Sequence, residues 1–230
     1  ALRFDRAYMQ TTGIEAVDNW SYSHNLEYLV ANCSEDGRYE EGLGYARELQ
    51  SQPVDLLRSE ATGLGYLLYG GRTAAARLDF RYGRWGRAAA DLQRGLEEWR
   101  FASQVSADYV GGLLEYALTM DAAEKGELPK AAARFQRLVQ VGVRLTREQA
   151  DFGSDWYFEA AKRVLAIATI EAAATLLSVQ GQHDQAVEQM QRAAQMEAVL
   201  SYGEPPPYSR PIAESLGSIH LRAGRWREAR

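Results

Sequence analysis

The chain is poor in the residues that usually announce chemistry. Cys33 is its one cysteine in 230 residues, so no intrachain disulfide can form. Histidine appears only at His24, His183 and His220, and a metal centre would need carboxylates to complete it. There is no nucleotide-binding glycine loop, no paired-cysteine knot and no His-Glu-x-x-His. Basic charge is not in excess either. The formal net charge is −5 and the isoelectric point about 5.4, which argues against broad nucleic-acid binding. Long apolar runs are missing too. The most apolar stretch, residues 164–179, contains Glu171 and is too short for a comfortable membrane span; it reads as a buried helix. No membrane insertion and no cofactor are expected.

Lysine is scarce. Lys125, Lys130 and Lys162 are the only lysines among 26 basic residues, and the rest are arginine. With so much alanine, this composition points to a GC-rich bacterial genome. It leaves the compartment open, with the cytoplasm favoured over the periplasm. The chain starts at Ala1 without methionine, as a fragment or a processed chain would.

What is present is a repeated phrase. DGRYEEGL at 36–43, YGRWGRAA at 82–89, KGELPKAA at 125–132, QGQHDQAV at 180–187 and AGRWREAR at 223–230 share one pattern. Each has a glycine, then two places on a residue that is usually bulky: Tyr39, Trp85, Leu128, His183 or Trp226. A small residue lies five places after the glycine: Gly42, Ala88, Ala131, Ala186 or Ala229. Glycine ends a helix in the left-handed conformation because it has no Cβ to clash. The bulky residue can cover the joint between two helices. The small residue sits one turn into the second helix, where two backbones approach. Each phrase therefore predicts the corner of a helical hairpin. A single hairpin cannot bury its apolar face alone and stacks on its neighbours.

The flanks carry helical spacing: Leu114, Leu118 and Ala122 before Gly126, and Ala186, Met190, Ala193 and Met196 after Gly181. The last copy, LGSIHLRAGRWREA, resembles the tetratricopeptide repeat most closely. Corner glycines recur every 43 to 55 residues, longer than the roughly 34 of that repeat. Longer helices and extra linking turns account for the difference, and a HEAT-like array is the structural alternative. The fold class expected is all-α, an α-solenoid of stacked antiparallel hairpins winding as a right-handed superhelix. Residues 1–230 form one array, with units at about 22–52, 54–102, 106–147, 156–200 and 208–230. Residues 1–13 read as the tail of a helix and 14–21 as a loop. A short helix is expected near 54–69, the second helix of the second unit runs to about 102, and 150–156 is a loop with Asp155 as N-cap. Residues 201–211 are the linker-like stretch.

SYSHNLEYL, with His24 and Asn25, and PPPYSRPIAESLG, with Tyr208 and Leu216, resemble segments of longer bacterial tetratricopeptide proteins. Those proteins carry a Tyr-x-x-His-Asn helix midway and a Pro-Pro-x-Tyr segment before a Leu-Gly…Gly-Arg repeat. A histidine that they lead one to expect near position 28 is Tyr28 here. The resemblance implies further repeats on both sides, so that this chain is an interior or C-terminal piece. It implies no particular reaction.

In such arrays the first helices line a concave groove. Counting back from each glycine places His24, Glu27, Tyr28 and Ala31 there, then Arg77, then Tyr116 and Met120, then Glu171 and Thr175, and finally Glu214 and Ser218. Tyr28, Tyr116 and Met120 are the apolar anchors expected for a protein or peptide partner. Glu27, Glu171 and Glu214 give the groove a sign that repels a free carboxylate and suits a basic or polar ligand; the same glutamates also fit plain solvated helix faces. The expected function is a protein-interaction scaffold or adaptor more than an enzyme, with self-association through the array's ends as a second use of its surfaces. The alternative is an accessory or catalytic module with a small-molecule or metal site near His24. His24 and Glu27 lie three apart on one helical face and are the metal-ligand candidates. PPPY at 205–208 matches a WW-domain ligand pattern, but reads foremost as a stiff linker that sets the angle of the last hairpin. Asn19-Trp20-Ser21 and Asn32-Cys33-Ser34 are formal glycosylation sequons that the helical context discounts, and Cys33 reads as packing.

Overall fold

A computed structural model of the chain describes residues 1–57, 64–101, 104–147, 155–200 and 203–230. Among them there is no strand. The helices are α1 (Leu2–Thr12), α2 (Trp20–Glu35), α3 (Tyr39–Gln50), α4 (Ala74–Arg81), α5 (Trp85–Glu98), α6 (Gln104–Glu124), α7 (Leu128–Leu145), α8 (Asp155–Val179), α9 (His183–Ala198) and α10 (Ile212–Arg222). A 3₁₀ turn at Ala16–Asp18 precedes α2, and a buried π-helical turn at Tyr66–Gly71 precedes α4. No described helix is long and apolar enough to cross a membrane.

Each helix packs on the next along the chain, and α2 meets α4, α6 meets α8, and α8 meets α10 across intervening helices. The predicted corners are all present. Gly37, Gly83, Gly126, Gly181 and Gly224 have φ between 64° and 80°. At each, the glycine N–H donates to the carbonyl three residues back and the following N–H to the carbonyl five back. At Gly37 these bonds run to Ser34 (3.3 Å) and, from Arg38, to Cys33 (2.8 Å). At Gly181 they run to Ser178 (3.0 Å) and, from Gln182, to Leu177 (2.9 Å). This is the Schellman arrangement, which satisfies the last carbonyls of the first helix.

The small corner residues are where backbones meet. Ala88, Ala131 and Ala186 have no exposed surface, and a Cβ on Gly42 would lie 3.1 Å from that of Cys33. Cys33 is itself fully buried, which is the packing role its mid-helix position predicts. Trp85 covers its corner, with its indole N–H donating to Glu124 at 2.7 Å and its ring stacked on Phe80. Trp226 at the last corner is 69% exposed.

Helix bounds differ from the sequence reading in a few places. The second hairpin's outer helix stops at Glu98, where Trp99 turns to extended backbone and its ring packs on Gly95. In the 54–69 stretch, residues 54–57 are not helical and helix starts at 64; residues 58–63 lie outside the described set. Helix α8 starts at Asp155, while the loop expected at 150–156 lies mostly outside the described residues. Residues 203–211 are not a linker spanning open space. They lie against the face carried by α2, α4 and α8, with Tyr208 buried in the core.

Candidate functional site

Two of the first helices each carry a carboxylate held by side chains from other elements. On α2, Glu27 accepts from the Tyr66 hydroxyl of the π turn and pairs with Arg77 of α4. Arg77 also donates to the Gly70 carbonyl at 3.0 Å. Burial works against the Arg77 cation, but Glu27 beside it holds its pKa above the usual value. Burial, reinforced by the same carboxylate, pushes the Tyr66 phenol far above its ordinary range. A wide π turn puts Tyr66, Tyr69 and Gly70 on the side facing Arg77, and such turns recur at functional sites.

On α8, Glu171 is fully buried. It accepts from Tyr116 of α6 at 2.8 Å, from Tyr208 at 2.5 Å and from Ser215 of α10 at 2.5 Å. Arg210 lies 3.3 Å from it and spreads over the Trp85 ring. Burial, then the Glu171 charge, drives the Tyr116 and Tyr208 phenols well above their ordinary pKa. This knot ties 203–211 and α10 to α6 and α8.

The knot corrects part of the sequence reading. Tyr116 and Met120 are buried, at 2% and 3% exposure, and are not open anchors. Helix α8 crosses α6 on that face, and Phe80, Trp85 and Tyr208 close around Tyr116. Glu171 and Thr175 are likewise buried and offer no charge to solvent. The periodicity placed these residues on the inner face; it did not show that another part of the chain lies over that face.

The remaining expected residues are more accessible. The Glu204 carboxylate beside Tyr28 raises the pKa of its phenol. Glu214 pairs with Arg81, which also reaches Glu35 at 3.4 Å, so α10, α4 and α2 are linked by charge. Ser218 is exposed and bonds back to the Glu214 carbonyl. His24 stacks on Trp20 at 4.4 Å and meets Tyr28 and Tyr66 edge-on. Among the described residues no three His, Cys, Asp or Glu side chains cluster as metal ligands. His24 and Glu27 are therefore not joined by a third ligand there, and the face of His24 is taken by an aromatic ring.

Two openings border the Glu27–Arg77 pair. The larger is a cleft of about 350 Å³ between α2, α4 and 203–211. Val30, Ala31, Ala74 and Leu78 give it an apolar floor, and Glu35 and Glu197 stand at its polar edge. The smaller is a pocket of about 70 Å³ walled by Tyr66, Tyr69, Tyr109, Trp156 and Tyr157. Sequence reasoning missed this second group. Its one local signal is the Tyr66/Tyr69 spacing at the glycine-rich end of GYLLYGG; Tyr109 and Trp156 come from remote helices.

Comparison with protein-family models, with curated proteins and with solved structures finds no match. The reading of function therefore rests on the residues themselves.

Proposed function

We propose that the chain is a tetratricopeptide-like solenoid, wound as a right-handed superhelix, that serves as a scaffold or adaptor. It would receive a segment of a partner protein in the cleft between α2, α4 and residues 203–211. The observation that carries this reading is the cleft itself: about 350 Å³, apolar at Val30, Ala31, Ala74 and Leu78 and rimmed by charge. The five matched corners support the repeat, and apolar floors with polar rims are what peptide-sized ligands use. The groove residues that keep access to a partner are Glu27, Tyr28, Ala31, Arg77 and Glu214; Tyr116, Met120 and Glu171 are buried. Carboxylates at the rim favour a polar or basic segment.

The test is a displayed random-peptide library screened against the full chain, followed by titration of enriched peptides. Ala31→Trp fills the cleft from the α2 side, and peptides should bind it at least about tenfold more weakly, the factor that about 1.4 kcal/mol represents. The reading fails if no peptide is enriched, or if enriched peptides bind Ala31→Trp unchanged while its helical signal matches the parent.

A further inference from the structure

We propose that the pocket walled by Tyr66, Tyr69, Tyr109, Trp156 and Tyr157 binds a small organic cation, specifically an alkylated ammonium group. The proposal is separate from the peptide cleft and does not depend on it.

Three observations carry it. The first is the wall. Five aromatic side chains surround about 70 Å³, room for the head of one small cation and not for a chain. The Tyr66 and Tyr157 rings meet at 83° with centroids 5.6 Å apart, and Trp156 meets Tyr157 at 87° and 4.8 Å. These are edge-to-face contacts, which fix the rings relative to one another along the pocket wall. Aromatic faces carry negative quadrupole and attract cations, tryptophan most strongly.

The second is charge. The lining residues that carry charge are Glu27, Arg77 and Glu204. Glu27 and Arg77 neutralise each other, and the Arg77 Nε is buried without a hydrogen-bond partner. Glu204 is exposed and stands at the mouth as the remaining charge. The sum is negative, which favours a cation over a carboxylate or phosphate.

The third is preorganisation. Trp20 donates from its indole N–H to the Tyr157 hydroxyl at 2.9 Å, and Tyr66 is held by Glu27. Burial raises the pKa of Tyr109 to about 12 and that of Tyr157 above its ordinary value, so both phenols stay neutral through the physiological range. Walls fixed before binding lower the ordering cost of a weak ligand. An alkylated ammonium has no need of hydrogen-bond acceptors, and an aromatic box answers that chemistry. A bare ammonium or a metal ion would call for oxygen ligands that this wall presents only at its edge.

The experiment titrates the full chain with choline and with its neutral carbon isostere, 3,3-dimethylbutan-1-ol, following tryptophan fluorescence and NMR shifts. Choline should saturate the signal and bind about tenfold or more tightly than the isostere. Trp156 is half exposed at the start of α8, so Trp156→Ala removes a wall with little risk to the fold. It should weaken choline about threefold to thirtyfold, and Trp156→Phe should recover most of that loss. A short peptide carrying trimethyllysine separates the two sources of such a group. Tighter choline binding assigns a free small molecule, tighter peptide binding assigns a modified side chain, and both support the cage. Equal binding of choline and the isostere overturns the proposal. So does failure of choline to saturate at any accessible concentration, tighter binding of acetate than of choline, or choline affinity indifferent to Trp156→Ala.

Discussion

Glu27 and Glu171 are set up alike and end differently. Each stands on the first helix of a hairpin. Each is held by tyrosine hydroxyls and an arginine: Tyr66 and Arg77 for one, Tyr116, Tyr208 and Arg210 for the other. Yet Glu171 has no exposed surface, while Glu27 borders two openings. The difference lies in what covers them. Residues 208–215 bring Tyr208, Arg210 and Ser215 down onto Glu171, whereas only Glu204 and the prolines approach Glu27. A buried ion pair with every lone pair filled is a fastening. The same pair at the edge of a cavity leaves a surface for a ligand.

The comparison can be broken most severely at the sealed end. Glu171→Ala leaves Arg210, Tyr116, Tyr208 and Ser215 without their shared acceptor, and should cost about 3–5 kcal/mol in denaturant unfolding. It should also expose 203–211 to limited proteolysis. Glu27→Ala should cost about 1–3 kcal/mol, since Arg77 keeps the Gly70 carbonyl and can reach water in the openings. Equal losses at the two sites would mean that coverage by 203–211 does not distinguish them.

Ala131→Leu lies away from both carboxylates. Ala131 is fully buried against Ala122, Ala123 and Leu176, and the larger side chain should cost about 1–3 kcal/mol by overpacking. A neutral result would place the α7 corner wrongly. Tyr208→Phe sharpens the contrast further. It deletes one of four partners of Glu171 and should cost about 1–2 kcal/mol.

A further contrast appears in alkali. Tyr66, Tyr116 and Tyr208 all have folded pKa values raised above that of an unfolded tyrosine, chiefly by burial. Above about pH 10 the unfolded chain loses phenolic protons that the folded chain keeps. Stability is thus fully present below about pH 10 and falls as pH rises toward the folded values. Denaturant midpoints at pH 8, 10 and 11 should decline over the last step, and less steeply in Tyr208→Phe. A midpoint that stays level from pH 10 to 11 would show these phenols titrating normally.

Much of the helical layout was legible because its causes are local. Gly83 or Gly126 can be recognised as a corner without knowing what lies elsewhere, since only glycine relaxes at positive φ. Ala131 and Ala186 could be placed at close approaches from their spacing alone. The inner face was legible in part. Periodicity put Glu27, Arg77, Tyr116 and Glu171 on the same side, and the structure brings Glu27 to Arg77 and Tyr116 to Glu171. Spacing does not report what lies opposite a helix face, so the burial of Tyr116, Met120 and Glu171 was not readable. The prolines at 205–207 looked like a spacer because Pro-rich chain is stiff; that Tyr208 would be driven into the core depends on a buried acceptor 37 residues earlier.

The sequence by itself therefore determined the helices and their corners, because backbone sterics and one-turn spacing act within a few residues. It also put Glu27, Arg77, Tyr116 and Glu171 on one expected helix face. Tertiary structure alone decided which part of that face is closed by residues 203–211 and α10 and which part stays open. It alone gathered Tyr66, Tyr109 and Trp156 from three separate segments into one wall. Both outcomes depend on burial and ring contact between residues far apart in the chain, and those energies exist only once the helices have packed.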